Sequence, residues 1–371
     1  MHISMVVFGD LRFDYRIFRE ATTLHRAGHR ISIVASAFSP EPLEGWDDFA
    51  ICTIPIDRSR SLRATYPAFW RRAHQLLIDL NADAYHAHDL DTLWPAARAA
   101  RRRGVPLIYD SHEFWIEQSS LVRRPAIRAF WAALERRLIR RTHRVIAVST
   151  SIGKALEMRY GLDGVTVLRN LPHFKEPMPG DLIRAQLQLE AERPIVLYQG
   201  GFLTENGLRE QIEAAADFSR AALVLIGDGP SEAALRDQVA RAGLEDRVYF
   251  MPRVPFHQLH AYTCSADLGL CLIKGAGKSF YYSMPNKLFE YLIAGLPVLA
   301  SDFPEMRRVV ADTGAGEVVD PEDVTAIRCS VEGLLGNAPR RRQYAAAARR
   351  AARRYNWERE AHHLTELYAC M

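Results

Sequence analysis

The sequence contains few of the features that mark secreted or membrane-spanning proteins. Its five cysteines are scattered, odd in number and without the paired spacing of a metal site, so reduced thiols in the cytoplasm are expected. No stretch approaches the roughly 20 apolar residues that a membrane span requires. The first ten residues lack a basic leading region and a long apolar core, and therefore no signal peptide is expected.

Two motifs with well-defined ligands are also missing. No Gly-x-Gly-x-x-Gly pattern follows the first apolar run, which disfavours a dehydrogenase. No nucleic-acid recognition motif accompanies the basic residues, so nucleic acid is not an expected partner. What remains is a chain of 371 residues with ordinary globular composition, long enough for two α/β domains. Residues 1–170 carry a net charge of +7 and the rest −3, which suggests that the first half meets something anionic.

Short apolar runs alternate with amphipathic segments along most of the chain. In residues 15–27, for example, Ile17, Ala21 and Leu24 share a helical face, and Gly28 ends the helix. This alternation is typical of parallel strands joined by crossover helices. The predicted strands are 3–8, 31–35, 51–54, 84–87, 107–110, 145–148, 165–168, 195–198, 222–226, 248–250, 268–272, 298–301 and 317–319. Further predicted helices are 94–103, 208–218, 231–242 and 287–294, with a helical tail over 339–371.

Three prolines and a glycine between Leu171 and Asp181 interrupt the alternation and predict a linker. The expected domains are residues 1–172 and 191–355, joined by a linker over 173–190 and followed by a C-terminal helix over 356–371. Ligands of such sheets bind beyond the carboxyl ends of the strands and between domains. Functional motifs are therefore expected directly after strands.

The most informative stretch is PNKLFEYLIAGLPVLA, residues 285–300. Pro285 suits the first turn of a helix and Gly295 its end. Lys287 and Glu290 are three residues apart and so lie on one side of that helix. The start of a helix that follows a strand favours phosphate, and a carboxylate one turn later can accept hydrogen bonds from a ribose diol. A Lys–Glu surface pair on a packing helix is the alternative.

This stretch resembles the nucleotide-sugar helix of the retaining GT-B glycosyltransferases of family 4. Residues 198–208, the turn 227–230 and residues 249–255 and 262–270 resemble other blocks of that family, in the same order. The resemblance implies an α/β fold of two Rossmann-like, doubly wound domains facing a cleft, with a C-terminal helix that can cross back to the N-terminal domain. It also implies retaining transfer of a sugar from a nucleotide-diphosphate donor, UDP- or GDP-linked, to an acceptor hydroxyl. No cofactor and no metal are expected.

The resemblance also implies roles for individual residues. His112 and Glu290 are the expected catalytic residues, with Glu290 on the ribose and His112 on the sugar or the developing charge. The expected donor-binding residues are Gly9, Gly200, Gly201, Asn206, Gly229, Arg253, Lys278, Ser283, Asn286, Lys287 and Glu290. The expected acceptor-side residues are Asp14, Arg16, His88 and Asp89.

The chain departs from the family where the diphosphate is held. Family members commonly carry basic residues at the places of Gly201 and Asn206 and a second Glu at the place of Tyr282. The candidate replacements are the backbone N–H groups of Gly200 and Gly201, the helix start at 283–287, and Lys274, Lys278 or Lys287. These departures motivate two other interpretations: a non-catalytic GT-B partner of a transferase, and a nucleotide-sugar 2-epimerase.

Histidines and carboxylates end two predicted strands, in the segments HAHD at 86–89 and DSHE at 110–113. Such residues can ligate metals or act as bases, but no third cluster completes a metal site. A packing role is the alternative for His88, Asp89 and His112. Asp14 could simply cap the following helix, and the charges of Asp14 and Arg16 could face solvent.

Residues 121–144 combine arginines with aromatic and aliphatic residues. A basic amphipathic stretch of this kind can lie on an anionic membrane surface, whereas an ordinary crossover helix with a solvated arginine face is the alternative. A lipid-linked acceptor would fit the first interpretation. The expected partners are thus a nucleotide sugar, a sugar or lipid-linked acceptor and an anionic membrane surface. The expected place is the cytoplasm or the inner face of the membrane, in bacterial polysaccharide or glycolipid assembly.

Overall fold

The computed structural model describes residues 1–38, 43–57 and 59–371, and the chain divides into two compact units. The first unit comprises residues 1–170 and 360–371, and the second comprises residues 171–359. Each unit contains one parallel β-sheet, which confirms the α/β expectation. Within the described ranges, no helix is both long enough and apolar enough to cross a membrane.

The first unit contains a seven-stranded sheet. Its elements up to the boundary are β1 His2–Val7, α1 Tyr15–Arg26, β2 Arg30–Ala37, β3 Ala50–Pro55, α2 Leu62–Leu80, β4 Ala84–His88, α3 Leu90–Arg103, β5 Leu107–Ser111, α4 Ser119–Val122, α5 Pro125–Leu138, β6 Arg144–Ala147, α6 Thr150–Tyr160 and β7 Thr166–Val167. The strand order is β3-β2-β1-β4-β5-β6-β7. The order reverses between β1 and β4, so the carboxyl ends of these strands form a topological switch point, where ligands of open sheets bind.

The second unit repeats this arrangement with six strands. Its elements, with the C-terminal helix, are α7 Leu182–Leu187, β8 Ile195–Gln199, α8 Leu208–Ala215, β9 Ala222–Ile226, α9 Glu232–Ala242, β10 Val248–Met251, α10 Phe256–Cys264, β11 Leu268–Cys271, α11 Lys278–Tyr281, α12 Asn286–Ile293, β12 Val298–Ser301, α13 Pro304–Thr313, β13 Gly316–Val319, α14 Val324–Gly336, α15 Ala338–Ala352 and α16 Trp357–Ala369. The strand order is β10-β9-β8-β11-β12-β13, with its switch point between β8 and β11.

Most strand residues are buried because both faces of each sheet are covered. All six residues of β1 and all five residues of β8 and of β9 are buried, as expected for parallel sheets. Ile17, Ala21 and Leu24 of α1 are fully buried, so the predicted helical face packs on the sheet side of the first unit. Every predicted strand is present, with its ends shifted by at most two residues.

The helices differ more from the sequence predictions. The helix expected at 94–103 begins at Leu90, because Asp89 turns the chain directly from β4 into the helix. The expected linker 173–190 contains α7, whose Ile183 is fully buried. The single helical tail is two helices, and the Asn356 side chain accepts the Arg359 N–H and so starts the second one. From Glu360 onward this last helix belongs to the first unit.

Candidate functional site

In the second unit, two glycine turns lie against one another at the carboxyl ends of β8 and β9. A Cβ on Gly227 would lie 2.0 Å from the Gly200 carbonyl oxygen, and both residues have positive φ. The Gly200 N–H donates to the Ile226 carbonyl at 2.9 Å, and the Phe202 N–H to the Asp228 carbonyl at 2.7 Å. The expectation that the Gly200 N–H is available to a diphosphate is therefore wrong, because β9 already uses this donor.

Lys287 reaches this glycine turn from the first turn of α12. Its Nζ lies 3.8 Å from the centroid of the Tyr198 ring and would be 3.3 Å from a Cβ on Gly200. The residue is 9% exposed, so the alternative of a surface Lys–Glu pair is wrong. Among the described residues, no carboxylate forms an ion pair with it. A buried ammonium balanced only by an aromatic face is an attractive position for an anion.

Glu290 lies one turn further along α12 and is half-buried rather than sealed in the core. The Gln199 side-chain amide donates to its carboxylate at 2.5 Å, and the Thr263 hydroxyl donates to the side-chain oxygen Oε1 of Gln199 at 2.8 Å. These contacts fix the carboxylate at the carboxyl end of β8. Gln199 was not predicted as a site residue from the sequence. The feature that could have indicated it is a polar residue at the end of an otherwise apolar strand.

Asn206 holds the glycine turn in shape. Its side-chain amide and the Tyr198 hydroxyl both donate to the Gly201 carbonyl, each at 2.7 Å. Asn206 therefore stabilises the turn, although it contributes no positive charge for a diphosphate. Gly229 supports the same turn from the other side, since a Cβ there would lie 2.7 Å from the Phe202 carbonyl oxygen.

The remaining expected donor residues lie around these turns with their own partners. Arg253 pairs with Asp228 at 3.1 Å, and Lys274 pairs with Glu210 at 2.7 Å, so Lys274 is already neutralised. The Ser283 hydroxyl donates to the Phe280 carbonyl at 2.7 Å. Lys278 and Asn286 are exposed at the starts of α11 and α12. In the first unit, Gly9 follows β1 and its carbonyl accepts from the Ser36 hydroxyl at 3.2 Å.

The first unit has a charged cluster at the carboxyl ends of β4 and β5, and Arg16 is at its centre. The guanidinium donates to both oxygens of Asp110, with an Nη2–Oδ1 distance of 2.8 Å, and lies 2.9 Å from Glu20. Arg16 is 3% exposed, so the alternative of a solvent-facing charge is wrong for this residue. Although burial opposes it, Arg16 holds the pKa of Asp110 well below its usual range. Burial raises the pKa of Glu20 to about 8.

Asp89 and His112 form the accessible part of this cluster. Asp89 has φ 63°, which is rare for a residue with a side chain. Its Oδ1 accepts the His112 backbone N–H at 2.9 Å, and its Oδ2 lies 3.5 Å from the His112 Nδ1. The His112 Nε2 is 3.1 Å from an Asp110 oxygen. Although burial opposes the charged form, the carboxylates of Asp89 and Asp110 raise the pKa of His112 to about 10.

His88 and His86 lie behind His112 and are fully enclosed. Their rings stack with centroids 4.3 Å apart, and the His88 Nδ1 lies 3.1 Å from the His112 Nε2. Burial lowers the pKa of both imidazoles. At 1% exposure, His88 supports His112 from within and offers no surface to an acceptor. Asp14 caps α1, with its carboxylate accepting the Ile17 N–H at 3.2 Å.

Four buried residues of this cluster bring possible metal-ligating atoms within 4.8 Å of one another: Glu20, His86, His88 and Asp110. The sequence argument found no third group of ligands because Glu20 is on α1, far from the two histidine motifs. The sequence feature that could have indicated Glu20 is its position four residues after Arg16, which places both side chains on one side of a helix. Arg16 already pairs with both acidic side chains, which favours an ion-pair cluster over a metal site. The absence of a bound metal stays a prediction.

Two family models match this chain. "Glycosyltransferase Family 4" matches residues 15–171, and "Glycosyl transferases group 1" matches residues 180–351. Together they cover most of the two units.

Named relatives are similar over most of their length. A D-inositol 3-phosphate glycosyltransferase from Xylanimonas cellulosilytica is 27% identical over 77% of this chain and 72% of its own. A GDP-mannose-dependent alpha-(1-6)-phosphatidylinositol monomannoside mannosyltransferase from Mycolicibacterium smegmatis is 26% identical over 76% of each.

Solved structures share the fold over the whole chain. Sucrose-phosphate synthase from Thermosynechococcus elongatus superposes with a TM-score of 0.84 at 19% identity, covering 100% of this chain and 98% of its own. Anabaena HepE, in complex with UDP and glucose, superposes with a TM-score of 0.79 at 17% identity and full coverage of both chains.

Proposed function

Because the chain belongs to the GT-B glycosyltransferases, we propose that it transfers a sugar from a nucleotide-diphosphate donor to an acceptor hydroxyl with retention of anomeric configuration. The observation that carries the proposal is the buried ammonium of Lys287 beside the turn at Gly200, without a carboxylate partner among the described residues. In this proposal the donor binds on the second unit and the acceptor on the first.

Lys287 takes the role that basic residues at positions 201 and 206 would otherwise fill. As the bond from sugar to phosphate breaks, negative charge grows on the leaving diphosphate, and a fixed ammonium stabilises that charge. The ion is held in place by the Tyr198 ring, so little reorganisation is needed when the charge develops. Glu290, positioned by Gln199, holds the ribose hydroxyls.

His112 acts on the sugar side of the reaction. With its pKa raised to about 10 by Asp89 and Asp110, it is an imidazolium at neutral pH and donates hydrogen bonds to the donor sugar or the departing oxygen. In this proposal His112 acts as a cation and not as the general base. The leaving phosphate oxygen takes the proton of the acceptor hydroxyl as the new glycosidic bond forms.

UDP and GDP are the proposed donor nucleotides. The HepE structure of the same fold contains UDP and glucose, and one relative is named for GDP-mannose. Both relatives described above act, by their names, on inositol-containing acceptors. We extend the proposal to a sugar or lipid-linked acceptor, used at the inner face of the membrane in surface polysaccharide or glycolipid assembly.

The test is release of nucleoside diphosphate from a panel of UDP- and GDP-sugars, with the Glu290→Gln variant beside the wild type. We expect release by the wild type and a loss of about 10- to 100-fold in the variant, since a hydrogen bond to a charged group contributes about 1.5–3 kcal/mol. Glu213→Gln, an exposed change on α8, is the matched control and keeps full activity. No release from any donor would favour the non-catalytic alternative, and an epimerised sugar formed without acceptor would favour the epimerase.

A further inference from the structure

A large aromatic groove in the first unit takes no part in the proposed transfer reaction. It lies between α2 and the segment from α4 to α5, and its volume is about 1090 Å³. We call this feature the aromatic groove. The residues that line it include Leu62, Tyr66, Trp70, Trp115, Phe130 and Trp131. This volume lies slightly above the usual range for small-molecule sites, about 300–1,000 Å³.

The side chains of this groove form one connected aromatic set. Trp131 meets Tyr66 at 5.3 Å, Trp115 at 5.6 Å and Phe130 at 5.5 Å between ring centroids, mostly edge to face. Trp70 stacks on Trp94 behind the groove at 5.4 Å. Four of the six tryptophans of the chain are thus gathered at one place. The walls are rigid rings, which suit an apolar ligand.

The rim of the groove is unusually apolar for a protein surface. Leu62 is 59% exposed, Phe130 is 53% exposed and the neighbouring Val122 is 42% exposed. Contiguous apolar surface of this kind marks an interaction site. The walls and the rim therefore form one continuous apolar surface that reaches the solvent.

The charge around the groove is mainly positive. The two segments that form it, residues 59–72 and 115–134, contain seven arginines and one carboxylate, Glu117. Arg128 pairs with Glu117 and Arg60 pairs with Asp57, which leaves a positive excess. Arg63 and Arg124 line the groove itself. In the part of the chain that the structure describes, neither forms an ion pair with a carboxylate. Two unpaired guanidiniums at the edge of an apolar groove are complementary to an anionic head on an apolar chain.

We propose that the aromatic groove binds an anionic membrane lipid, with its acyl chain against Trp131 and Phe130 and its phosphate between Arg63 and Arg124. The groove holds the chain of a single lipid, which differs from a helix lying flat on a bilayer. Lipid binding goes beyond the sugar transfer and does not depend on it. It would hold the first unit at a membrane surface.

The test uses the full-length protein and vesicles of phosphatidylcholine, with and without phosphatidylglycerol. Binding is measured by co-sedimentation, and chain contact by quenching of tryptophan fluorescence with lipids brominated on the acyl chain. We expect binding only to the anionic vesicles, with quenching. Arg124→Gln should weaken binding about fivefold, as one basic residue near an anionic surface contributes about 1 kcal/mol. Phe130→Ser should weaken it about tenfold and reduce quenching.

The matched controls are exposed changes elsewhere in the first unit, Arg101→Gln on α3 and Met158→Ser on α6, which should bind as the wild type. Three results would overturn the proposal. One is absence of binding to the anionic vesicles, and another is salt-sensitive binding without quenching and unchanged in Phe130→Ser. The third is a dimer that Phe130→Ser dissociates, which would assign the groove to a second copy of the chain. None of these readouts involves turnover, so failure here leaves the transferase proposal standing.

Discussion

The two units place charges at the carboxyl ends of their sheets in opposite ways. In the first unit, Arg16 is enclosed with Asp110 and Glu20, and every formal charge in the core of the cluster has a partner of opposite sign. In the second unit, Lys287 is nearly as enclosed, but its ammonium lies over the Tyr198 ring and forms no ion pair with a carboxylate of the described residues. The first arrangement is complete by itself, whereas we propose that the second is completed by the donor diphosphate.

This difference separates residues that hold the fold from residues available to a ligand. Removing a member of the completed cluster should cost stability, because its partners stay buried and charged. Removing Lys287 should cost little stability and much affinity. Four predictions test this contrast, in order of decreasing effect.

Arg16→Met should have the largest effect. It removes the guanidinium that pairs with the buried Asp110 and Glu20 and leaves His112 as the cation beside Asp110, which costs about 3–5 kcal/mol. Five of the six tryptophans are in the first unit, so denaturant unfolding followed by tryptophan fluorescence reports mainly on it. Arg101→Met, an exposed change, should stay within about 0.5 kcal/mol of the wild type. Equal midpoints for the two variants would remove the case for a structural cluster.

Gly227→Ala should cost about 3 kcal/mol in the second unit, because the added Cβ would lie 2.0 Å from the Gly200 carbonyl oxygen. Hydrogen exchange of the β8 and β9 amides measures it locally. Gly243 also has positive φ, but nothing lies within 4 Å of a Cβ added there. Gly243→Ala should therefore lower the free energy of unfolding by only about 1–2 kcal/mol. If the two changes cost the same, the close approach of the glycine turns has no energetic role.

Asp89→Asn should lower the pKa of His112 from about 10, as one of two flanking carboxylates is lost. Since this pKa exceeds the ordinary value of 6.5, the imidazolium stabilises the folded state below pH 6.5, and that contribution is lost as pH rises towards 10. The variant should therefore show a smaller decline of stability across this window. Imidazole NMR titration measures the pKa directly, with Asp163→Asn as the exposed control. An unchanged His112 titration would show that Asp89 does not set its charge.

Lys287→Met should have the smallest effect on stability, below about 1 kcal/mol, because no carboxylate of the described residues depends on the ammonium and the methionine keeps the apolar stem. Denaturant unfolding of the second unit measures it. A loss as large as that of Arg16→Met would mean that Lys287 is structural.

The sequence predicted the sheets well because parallel strands covered on both faces are short, continuous apolar runs. It was weaker on helices: α2 was not predicted, although Thr65, Phe69, Ala73 and Leu77 form a buried stripe at helical spacing. Within the site, Lys287 and Glu290 were singled out from their spacing on one helix and from the family resemblance, and their roles stay predictions. Residues joined only by the fold were missed, since Glu20 meets His86 and Gln199 meets Glu290 across 66 and 91 positions. Burial of Arg16 was also not predictable, because a charged residue is ordinarily placed in solvent.

Calorimetric titration of the wild type and Lys287→Met with UDP and with GDP tests the central claim, that this ammonium binds the donor diphosphate. We expect one nucleotide to bind the wild type and to bind Lys287→Met at least about tenfold more weakly, as befits a lost charge-assisted hydrogen bond. Lys154→Met, an exposed change on α6, should match the wild type. Equal affinities of the wild type and Lys287→Met, or a wild type that binds neither nucleotide, would contradict the account.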